Sequence, residues 1–403
     1  MAATRVPLVR PDLGEVEAEA AARVVRSGWV TQGPEVAAFE RELAAAVGAP
    51  HAVAVANCTV ALELALRAVG VQRGDDVITA SHSFVATANA VVAVGARPVF
   101  ADVDELTLGL DPAAVERAWT SRTRAILCVH QLGMPCDLAG LATVAERHGV
   151  PIVEDAACAI GSEIEWRGRW ERIGRPHGTV ACFSLHPRKV VTTGDGGVLT
   201  TADEALAKRF RLLRQHAMTV PDTVRHHSDR VMFEQYVEPA FNFRMTDLQA
   251  AIGRPQLARL DQTIAERRRL AAVYARALAS SPVLAAPEEP TWARSNWQSY
   301  ATRLRPAYAA RQVAVMQHLL DRGIASKRGV SNSHQEPAYA APGSWTCGEA
   351  ACDPVSCPHL ARSERLRDTT VMLPLFHGMT EDDQRAVLTA VAELPQLLSG
   401  PSA

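Results

Sequence analysis

The sequence predicts an α/β protein with a large domain, built on a mainly parallel mixed sheet flanked by helices, and a smaller C-terminal α+β domain. Three observations predict it. Between residues 51 and 201, short apolar segments alternate with helix-length segments. Several apolar segments are near-continuous runs of Val, Ile, Phe and Ala, as strands buried on both faces should be. After residue 201 this β-α-β alternation, which is typical of a parallel sheet, gives way to longer helical segments.

The elements of the large domain follow from this pattern. Strands are predicted at 52–56, 76–80, 98–103, 125–130, 151–155, 179–184 and 197–201. Helices are predicted between them at 59–69, 84–94, 113–119 and 138–148. Ligands bind at the carboxyl ends of the strands in such sheets, so polar residues that follow a strand are the first candidates for a site.

The rest of the chain is predicted to be helical and then mixed. Helices are expected at 204–216 and 247–278, with a kink or break at Pro255, because proline cannot donate the helical hydrogen bond. A Pro-rich linker at 281–291 precedes a strand at 300–304 and helices at 310–321 and 381–394. We divide the chain into an N-terminal segment (1–30), a large domain (31–255) and a small domain (256–403).

Composition excludes several classes of protein. The chain has 403 residues, 48% hydrophobic and 21% charged, with a formal net charge of −2. No long Lys/Arg run suggests binding to nucleic acid or to a membrane surface. No apolar run approaches the roughly 18 residues that span a bilayer, and residues 1–10 lack the pattern of a secretory signal. We therefore expect a cytoplasmic protein.

The segment from Cys182 to Gly197 carries the strongest chemical signal. It follows a predicted strand, contains Lys189 and ends in a glycine cluster. Lysine is costly to bury unless it is paired or covalently used. A desolvated lysine near another positive charge loses its proton more readily and becomes a nucleophile toward aldehydes. A solvated lysine in a surface turn is the alternative interpretation.

Two other segments suggest what such a lysine would bind. Asp155 ends a buried strand, and pyridoxal phosphate (PLP) needs an aspartate against its protonated ring nitrogen. Asn57, Cys58 and Thr59 join a strand to a helix, whose free N–H groups suit a phosphate. Helix capping is the simpler alternative at both places.

These segments, taken in order, resemble the DegT-type sugar aminotransferases, a group of fold-type I PLP enzymes. The resemblance extends over most of the chain. It rests on the motifs Trp29-Val-Thr-Gln-Gly-Pro34, Ser83-Phe-Val-Ala-Thr-Ala-Asn89, Val129-His-Gln-Leu-Gly133, Glu154-Asp-Ala-Ala157, the lysine segment, and Phe241-Asn-Phe-Arg-Met-Thr-Asp-Leu-Gln-Ala-Ala251.

The resemblance implies roles for individual residues. Lys189 would bind the cofactor as a Schiff base and move protons, and Asp155 would hold the pyridinium nitrogen. The other implied cofactor contacts are Cys58 (through its backbone), Thr59 and Ser184 at the phosphate, Asn242 at the phosphate of the neighbouring subunit, Phe84 stacked on the ring, and Cys158 near the ring hydroxyl. Implied substrate contacts are His186, Arg244 and His334. The family also implies a homodimer with shared active sites.

Some positions depart from the usual family pattern. Cys58 stands where glycine is usual, so the approach of the backbone to the phosphate could differ slightly. Cys158 stands where Gln, His or Glu is common, and a thiol is a poor hydrogen-bond donor. Neither change removes the chemistry.

The implied reaction is transfer of an amino group from L-glutamate or L-glutamine to a keto-sugar, expected to be nucleotide-linked. The alternatives are a keto-cyclitol aminotransferase of the type used for aminocyclitol antibiotics, a PLP-dependent sugar dehydratase and a non-catalytic PLP-binding regulator. Some dehydratase relatives have histidine in place of the lysine, so the presence of Lys189 argues against that alternative.

A second group of residues near the C-terminus has no place in the family pattern. Cys347, Cys352, Cys357 and His359 lie close together in an apparent insertion. They could ligate zinc, form a disulfide or remain free thiols in a loop. Because the spacing is not that of paired CxxC knuckles, we predict free thiols and no metal site.

Overall fold

A computed structural model describes residues 5–226, 228–348, 352–353 and 355–398. Within these residues, seven strands form the main sheet in the order β1-β9-β8-β5-β4-β2-β3. β9 runs opposite to the other strands of this sheet, and the remaining neighbours pair in parallel. The strands are β1 (His51–Val55), β2 (Asp76–Ala80), β3 (Arg97–Ala101), β4 (Thr123–Val129), β5 (Ile152–Asp155), β8 (Val180–Ser184) and β9 (Gly197–Thr201). All seven predicted strands are present.

Helices cover both faces of this sheet. Successive side chains of each strand point to opposite sides, and in these strands the apolar side chains on both sides need to be buried. In β5, for example, Ile152 packs in the cluster on one face and Val153 in the cluster on the other. The helices up to residue 258 are α1 (Glu15–Ser27), α2 (Pro34–Val47), α3 (Cys58–Ala68), α4 (Ala86–Ala93), α5 (Pro112–Arg117), α6 (Leu138–His148), α7 (Glu204–Leu213), α8 (Asp222–His226) and α9 (Asp247–Ala258).

The long helix predicted at 247–278 is two helices. α10 (Leu260–Leu278) follows α9 directly. The break falls at Arg259, whose φ and ψ are −106° and 13°, and Pro255 remains inside α9. The proline therefore does not mark the break. Arg259 itself binds Asp12 and Glu17 near the N-terminus, which holds the chain at the junction.

The C-terminal part has its own antiparallel sheet and core. Its four strands pair in the order β10-β12-β14-β13. Their bounds, and those of the helices around them, are β10 (Leu284–Ala285), β12 (Tyr300–Leu304), β13 (Lys327–Arg328), β14 (Thr370–Leu373), α11 (Gln312–Asp321), α12 (Ala361–Thr369), α13 (Glu381–Ala392) and α14 (Leu394–Leu398). The predicted linker at 281–291 therefore includes a short strand, β10, which pairs with β12.

A third small sheet was not predicted. β6 (Glu163–Trp166) and β7 (Arg169–Arg172) form a hairpin, and β11 (Ala293–Arg294) pairs with β6. The hairpin is mostly charged and only Ile164 of its two strands is buried, so it lacks the continuous apolar run from which the strands of the main sheet were predicted. In the described part of the chain, no helix has the length and apolar character needed to cross a membrane.

Candidate active site

Three predicted site residues lie where strands of the main sheet end. Asp155 is the last residue of β5 and Ser184 is the last residue of β8, and these two strands are parallel neighbours. Cys58 begins α3 shortly after β1 ends. The fold thus brings together side chains that are far apart in the sequence, at the edge where such sheets bind ligands.

Asp155 is a buried carboxylate held by two donors. Thr87 Oγ1 donates to Oδ2 at 2.8 Å, and the Ala157 amide donates to Oδ1 at 3.1 Å. Since the Thr87 hydroxyl proton is used in this way, Ser83 Oγ, at 2.7 Å, donates to Thr87. Burial raises the pKa of Asp155, and these hydrogen bonds and the charge of Lys189 offset the rise only in part. A protonated ring nitrogen would supply the cation that this site favours.

Lys189 points its amine into the same site. Nζ lies 2.9 Å from Cys158 Sγ. Burial acts to lower the pKa of Lys189, but interactions with Cys158, Cys58 and Asp155 outweigh it, so the pKa is raised. The expectation that a nearby cation lowers the pKa of Lys189 is therefore wrong, because the effects of Cys158 and Asp155 on the amine raise it.

Two glutamines that sequence reasoning missed fix the loop around Lys189. Gln298 accepts from the Val190 amide at 3.0 Å and donates to the carbonyl of Arg188. Gln256 accepts from the Thr192 amide at 3.0 Å and donates to its carbonyl at 2.7 Å. Both come from distant parts of the chain, so no local sequence signal indicates them.

Cys158 is positioned by a similar long-range contact. Asn296 Nδ2 donates to the carbonyls of Cys158 at 2.8 Å and Ile160 at 2.9 Å. Gly133 makes room for Asn296, because a Cβ at this glycine would lie 2.1 Å from Asn296 Oδ1. Its φ of 98° also favours glycine. The carbonyl contacts hold the Cys158 turn so that its sulfur meets Lys189.

The start of α3 fits both interpretations given to it. Asn57 is the N-cap, accepting from the Val60 amide at 3.0 Å. The amides of Cys58 and Thr59 belong to the first turn, which has no intrahelical partners for them. Gly197 packs directly on this turn, since a Cβ there would lie 2.4 Å from the Asn57 carbonyl carbon. Because Asn57 caps the helix through the Val60 amide, the amides of Cys58 and Thr59 remain available to bind a phosphate.

The side chains around this turn differ in exposure. Cys58 is buried and donates to the Cys182 carbonyl at 3.7 Å, and burial raises its pKa well above the ordinary value, so it is a neutral thiol. Thr59 is exposed. Ser184 is half-buried, and its Oγ accepts from the His186 amide at 3.4 Å.

Two implied cofactor contacts lie at the surface of the single chain. Phe84 is 69% exposed, and Asn242 is also exposed, with its Oδ1 accepting from the Arg244 amide at 3.3 Å. The structure does not bring these two side chains into contact with Lys189 or Asp155. Their roles remain predictions.

Two of the three implied substrate residues lie near the site. His186 is half-buried, its Nδ1 accepts from the Arg188 amide at 3.2 Å, and burial and the charge of Arg188 lower its pKa. Arg244 is half-buried, and its backbone pairs with Val55 just before the α3 turn. Both remain candidates for substrate contact.

His334 does not fit direct contact with a substrate. Its side chain is 0% exposed. Nδ1 lies 2.6 Å from Ser81 Oγ, and Nε2 lies 3.2 Å from Glu364 Oε1. Both ring nitrogens are therefore already used within the protein. The inference of a substrate contact at His334 is corrected to a supporting role behind Ser81, which follows β2.

A cation that the sequence did not single out lies near the lysine. Partial desolvation of the ammonium and the charges of Arg188 and Lys189 lower the pKa of Lys327, although the residue as a whole is exposed. Arg188 itself is exposed. Lys327 belongs to β13, far from Lys189 in the sequence, so only the fold reveals that these positive charges are neighbours.

The residues present fit PLP. A buried carboxylate suits the ring nitrogen, a lysine amine in the same site suits the aldehyde, and the first turn of α3 suits the phosphate. The geometry can therefore bind the cofactor, bring an amino group to its reactive carbon and move protons there.

Comparisons with known proteins agree with this geometry. Residues 11–392 match the family model for the DegT/DnrJ/EryC1/StrS aminotransferase family. The chain is 35% identical over 391 residues to the spore coat polysaccharide biosynthesis protein SpsC of Bacillus subtilis, covering 96% of this chain and 97% of SpsC.

Solved structures give the same result. DesV from S. venezuelae is 36% identical with a TM-score of 0.83, over 97% of this chain and 98% of DesV. The PMP form of the sugar aminotransferase Spr1654, described as putative, from Streptococcus pneumoniae is 25% identical with a TM-score of 0.89, over 98% of this chain and 100% of Spr1654. The chain therefore belongs to the DegT/DnrJ/EryC1/StrS family and is a PLP-dependent sugar aminotransferase.

Proposed function

We propose that the enzyme transfers the amino group of L-glutamate or L-glutamine to a nucleotide-linked keto-sugar. The observation that carries this proposal is the placement of cations around Lys189. The charges of Arg188 and Lys189 both act to lower the pKa of Lys327, although the Lys327 residue is exposed, so these cations are neighbours at an edge that a substrate can reach. A diphosphate and a substrate carboxylate are anions that such a group would attract.

The chain's own groups divide the work of transamination. Bound PLP supplies an aldehyde carbon that takes up the amino group and a ring that accepts the electron pair of the broken C–H bond. Asp155 holds a proton on the ring nitrogen. Lys189 Nζ, once free, removes the proton from the donor carbon and returns one during transfer. Cys58 and Thr59 amides bind the phosphate, with the Ser184 hydroxyl beside them.

We also propose that the active unit is a homodimer with shared sites. Phe84 and Asn242 are implied cofactor residues, yet they are exposed on the single chain. Exposed apolar side chains accompany Asn242 in the same segment, among them Phe233 (86%) and Phe241 (58%). Contact with a second subunit would cover these rings and bring Asn242 to the neighbouring phosphate.

A two-stage assay tests the proposed substrates. The holoenzyme is incubated with L-glutamate or L-glutamine, and the keto-acid product is measured. The amino-loaded enzyme is then offered a nucleotide-linked keto-sugar, the corresponding free keto-sugar and a keto-cyclitol, and the amine product is detected by mass. Preference for the nucleotide-linked sugar supports the proposal, and preference for the keto-cyclitol contradicts it.

A substitution shows whether the cations select the substrate. Lys327→Gln should raise KM for the nucleotide-linked sugar with little change in kcat, because the lysine would bind substrate without taking part in proton transfer. Lys208→Gln is the matched control, since Lys208 lies on α7 in an exposed ion pair with Glu204. If both substitutions raised KM equally, the proposal that Lys327 binds the nucleotide-linked sugar would be contradicted.

A further inference from the structure

Three cysteine sulfurs converge in the segment between His334 and α12. The sulfurs of Cys347, Cys352 and Cys357 all lie within 4.8 Å of one another. Cys347 and Cys352 are joined as a disulfide, and Cys357 Sγ lies 3.6 Å from Cys347 Sγ. The prediction of three free thiols is therefore wrong, because the loop folds its cysteines onto one point.

A disulfide between Cys347 and Cys352 does not explain why the sulfur of Cys357 is buried beside it. A disulfide uses two of the three sulfurs, and Cys357 is only 1% exposed.

One of the sulfur–sulfur distances already fits a tetrahedral thiolate site, and the bonded sulfurs of Cys347 and Cys352 would have to separate to the same spacing. Zinc binds cysteine sulfur at about 2.3 Å, which places two sulfurs of a tetrahedron about 3.8 Å apart. The separation of 3.6 Å between the sulfurs of Cys357 and Cys347 is close to this value. Thiolates are soft ligands that select zinc over magnesium or calcium. Of the two groups of converging ligand atoms among the described residues, these three cysteines form the one made of sulfur alone.

The cysteine cluster is connected to the active-site edge through Glu364. Glu364 Oε1 accepts from the Cys357 amide at 2.7 Å and lies 3.2 Å from His334 Nε2. His334 in turn contacts Ser81 at 2.6 Å. The ring of Trp345, two residues before Cys347, lies 5.4 Å from the His334 ring. Anything that fixes the cysteine loop therefore also fixes His334 from two sides.

We propose that Cys347, Cys352 and Cys357 bind a zinc ion as thiolates and that this site holds the loop that supports His334 and Ser81. From the disulfide form, a thiol reductant first supplies two electrons and two protons and is itself oxidised to a disulfide, which frees Cys347 and Cys352. The three thiols then release their protons to solvent as the metal binds, and water or another small ligand completes the coordination. The zinc site and the Cys347–Cys352 disulfide are alternatives, because both use the same two sulfurs.

The test is metal content of the full-length holoenzyme, prepared with a thiol reductant and zinc sulfate and then freed of unbound metal. We expect about one zinc per chain. Cys357→Ser should lose it. Cys352→Ser is a second variant, chosen because Cys352 is half-buried whereas Cys347 and Cys357 are buried. Circular dichroism checks that both variants are folded.

Cys136→Ala is the matched control. Cys128, His130 and Cys136 form a second group of converging ligand atoms. There, however, His130 Nδ1 accepts from the Cys136 amide at 3.2 Å and Nε2 lies 3.0 Å from Glu154, so both ring nitrogens are occupied. Cys136→Ala should therefore keep the zinc.

Three results would overturn the proposal. The first is wild-type enzyme without zinc. The second is zinc that Cys136→Ala loses and Cys357→Ser keeps. The third is an intact mass, measured without reductant under denaturing conditions, that is two hydrogens below the reduced chain in enzyme that holds no metal, which would assign the loop to a disulfide. Because the readout is metal content, failure of this proposal leaves the proposed function untouched.

Discussion

Thr87 Oγ1 donates a 2.8 Å hydrogen bond to Asp155 Oδ2, joining the first turn of α4 to the end of β5. Ser83 lies behind Thr87, at 2.7 Å. The carboxylate is thus oriented by a relay of hydroxyl groups in a buried site. This arrangement leads to predictions for both ends of the Thr87–Asp155 hydrogen bond.

Asp155→Asn should lower kcat by about 100-fold or more, because a neutral amide cannot hold a proton on the cofactor nitrogen. Asp137→Asn is the control, since Asp137 only caps α6, by accepting from the Gly140 amide at 2.9 Å. The measurement is steady-state kinetics of the PLP-saturated enzymes. Asp155→Asn with near wild-type kcat would contradict the role assigned to Asp155.

The same substitution should not destabilise the cofactor-free protein at neutral pH. Burial raises the pKa of Asp155 in the folded state, so the folded protein binds the proton more tightly than the unfolded chain. The contribution of Asp155 to stability therefore falls as pH rises from the unfolded pKa through the folded one. Asparagine avoids this cost and can still accept from Ala157 and donate to Thr87. A melting temperature well below that of the cofactor-free wild type would count against the argument.

Thr87→Val should lower kcat by about 10-fold, the order expected when one hydrogen bond to a charged group is lost. Valine keeps the shape of threonine and removes the hydroxyl. KM for the amino donor should change little, because Thr87 positions Asp155 and does not contact the donor. Thr87→Ser restores the hydroxyl and should recover most of the activity. Equal losses in the valine and serine variants would show that packing matters and the hydrogen bond does not.

His82 should make the protein sensitive to mild acid. It is fully buried, with Nδ1 2.9 Å from Asn332 Oδ1. Burial lowers its pKa from 6.5 to about 4, although Asn332 and Asp102 oppose the shift. The unfolded chain binds this proton more readily than the folded protein, so stability is lost as pH falls from about 6.5 toward about 4.

A substitution isolates this contribution. Between pH 7.5 and pH 5, the loss from His82 should be about 2 kcal/mol, and His82→Gln should remove it from the pH dependence. The measurement is the shift of the urea midpoint between the two pH values, with His51→Gln as the control. If His82→Gln and wild type show the same shift, His82 is not the group that titrates.

Mixed dimers test the proposal that Asn242 acts on the neighbouring subunit. Lys189→Ala and Asn242→Ala should each be inactive or strongly impaired. Subunits of the two variants, unfolded and refolded together, would form a mixed dimer with one intact site, because the wild-type Lys189 of one subunit meets the wild-type Asn242 of the other. Random pairing predicts about a quarter of wild-type activity. No gain on mixing would place Asn242 in its own subunit's site or outside any site.

The parts of the fold that the sequence could predict are those with local patterns. Each strand of the main sheet is an apolar segment bounded by turns, so all seven were found. Asp155 was proposed as a site residue because a carboxylate ends such an apolar segment, and β5 does end at Asp155. The hairpin of β6 and β7 was missed because its residues are mostly charged and its pairing with β11 joins segments over 120 residues apart in the sequence.

The supporting residues could not be predicted, because their roles depend on contacts between distant segments. Gln298 and Asn296 are ordinary polar residues in sequence, and only the fold places them against the Lys189 and Cys158 loops. His334 was assigned to the substrate by resemblance, and the structure instead buries it between Ser81 and Glu364. A polar side chain that is buried among distant partners belongs to no repeating pattern in the sequence, so sequence patterns cannot reveal it.

The central claim is that Lys189 carries the cofactor, and the chain offers an unusually direct test because it contains three lysines, Lys189, Lys208 and Lys327. The holoenzyme is reduced with borohydride, digested with a protease that does not cut at lysine, and the modified peptide is located by mass spectrometry. The account predicts cofactor mass on Lys189 in the wild type and none on that peptide in Lys189→Arg. Cofactor on Lys327 or Lys208 in place of Lys189, or no modification after incubation with excess PLP, would contradict it.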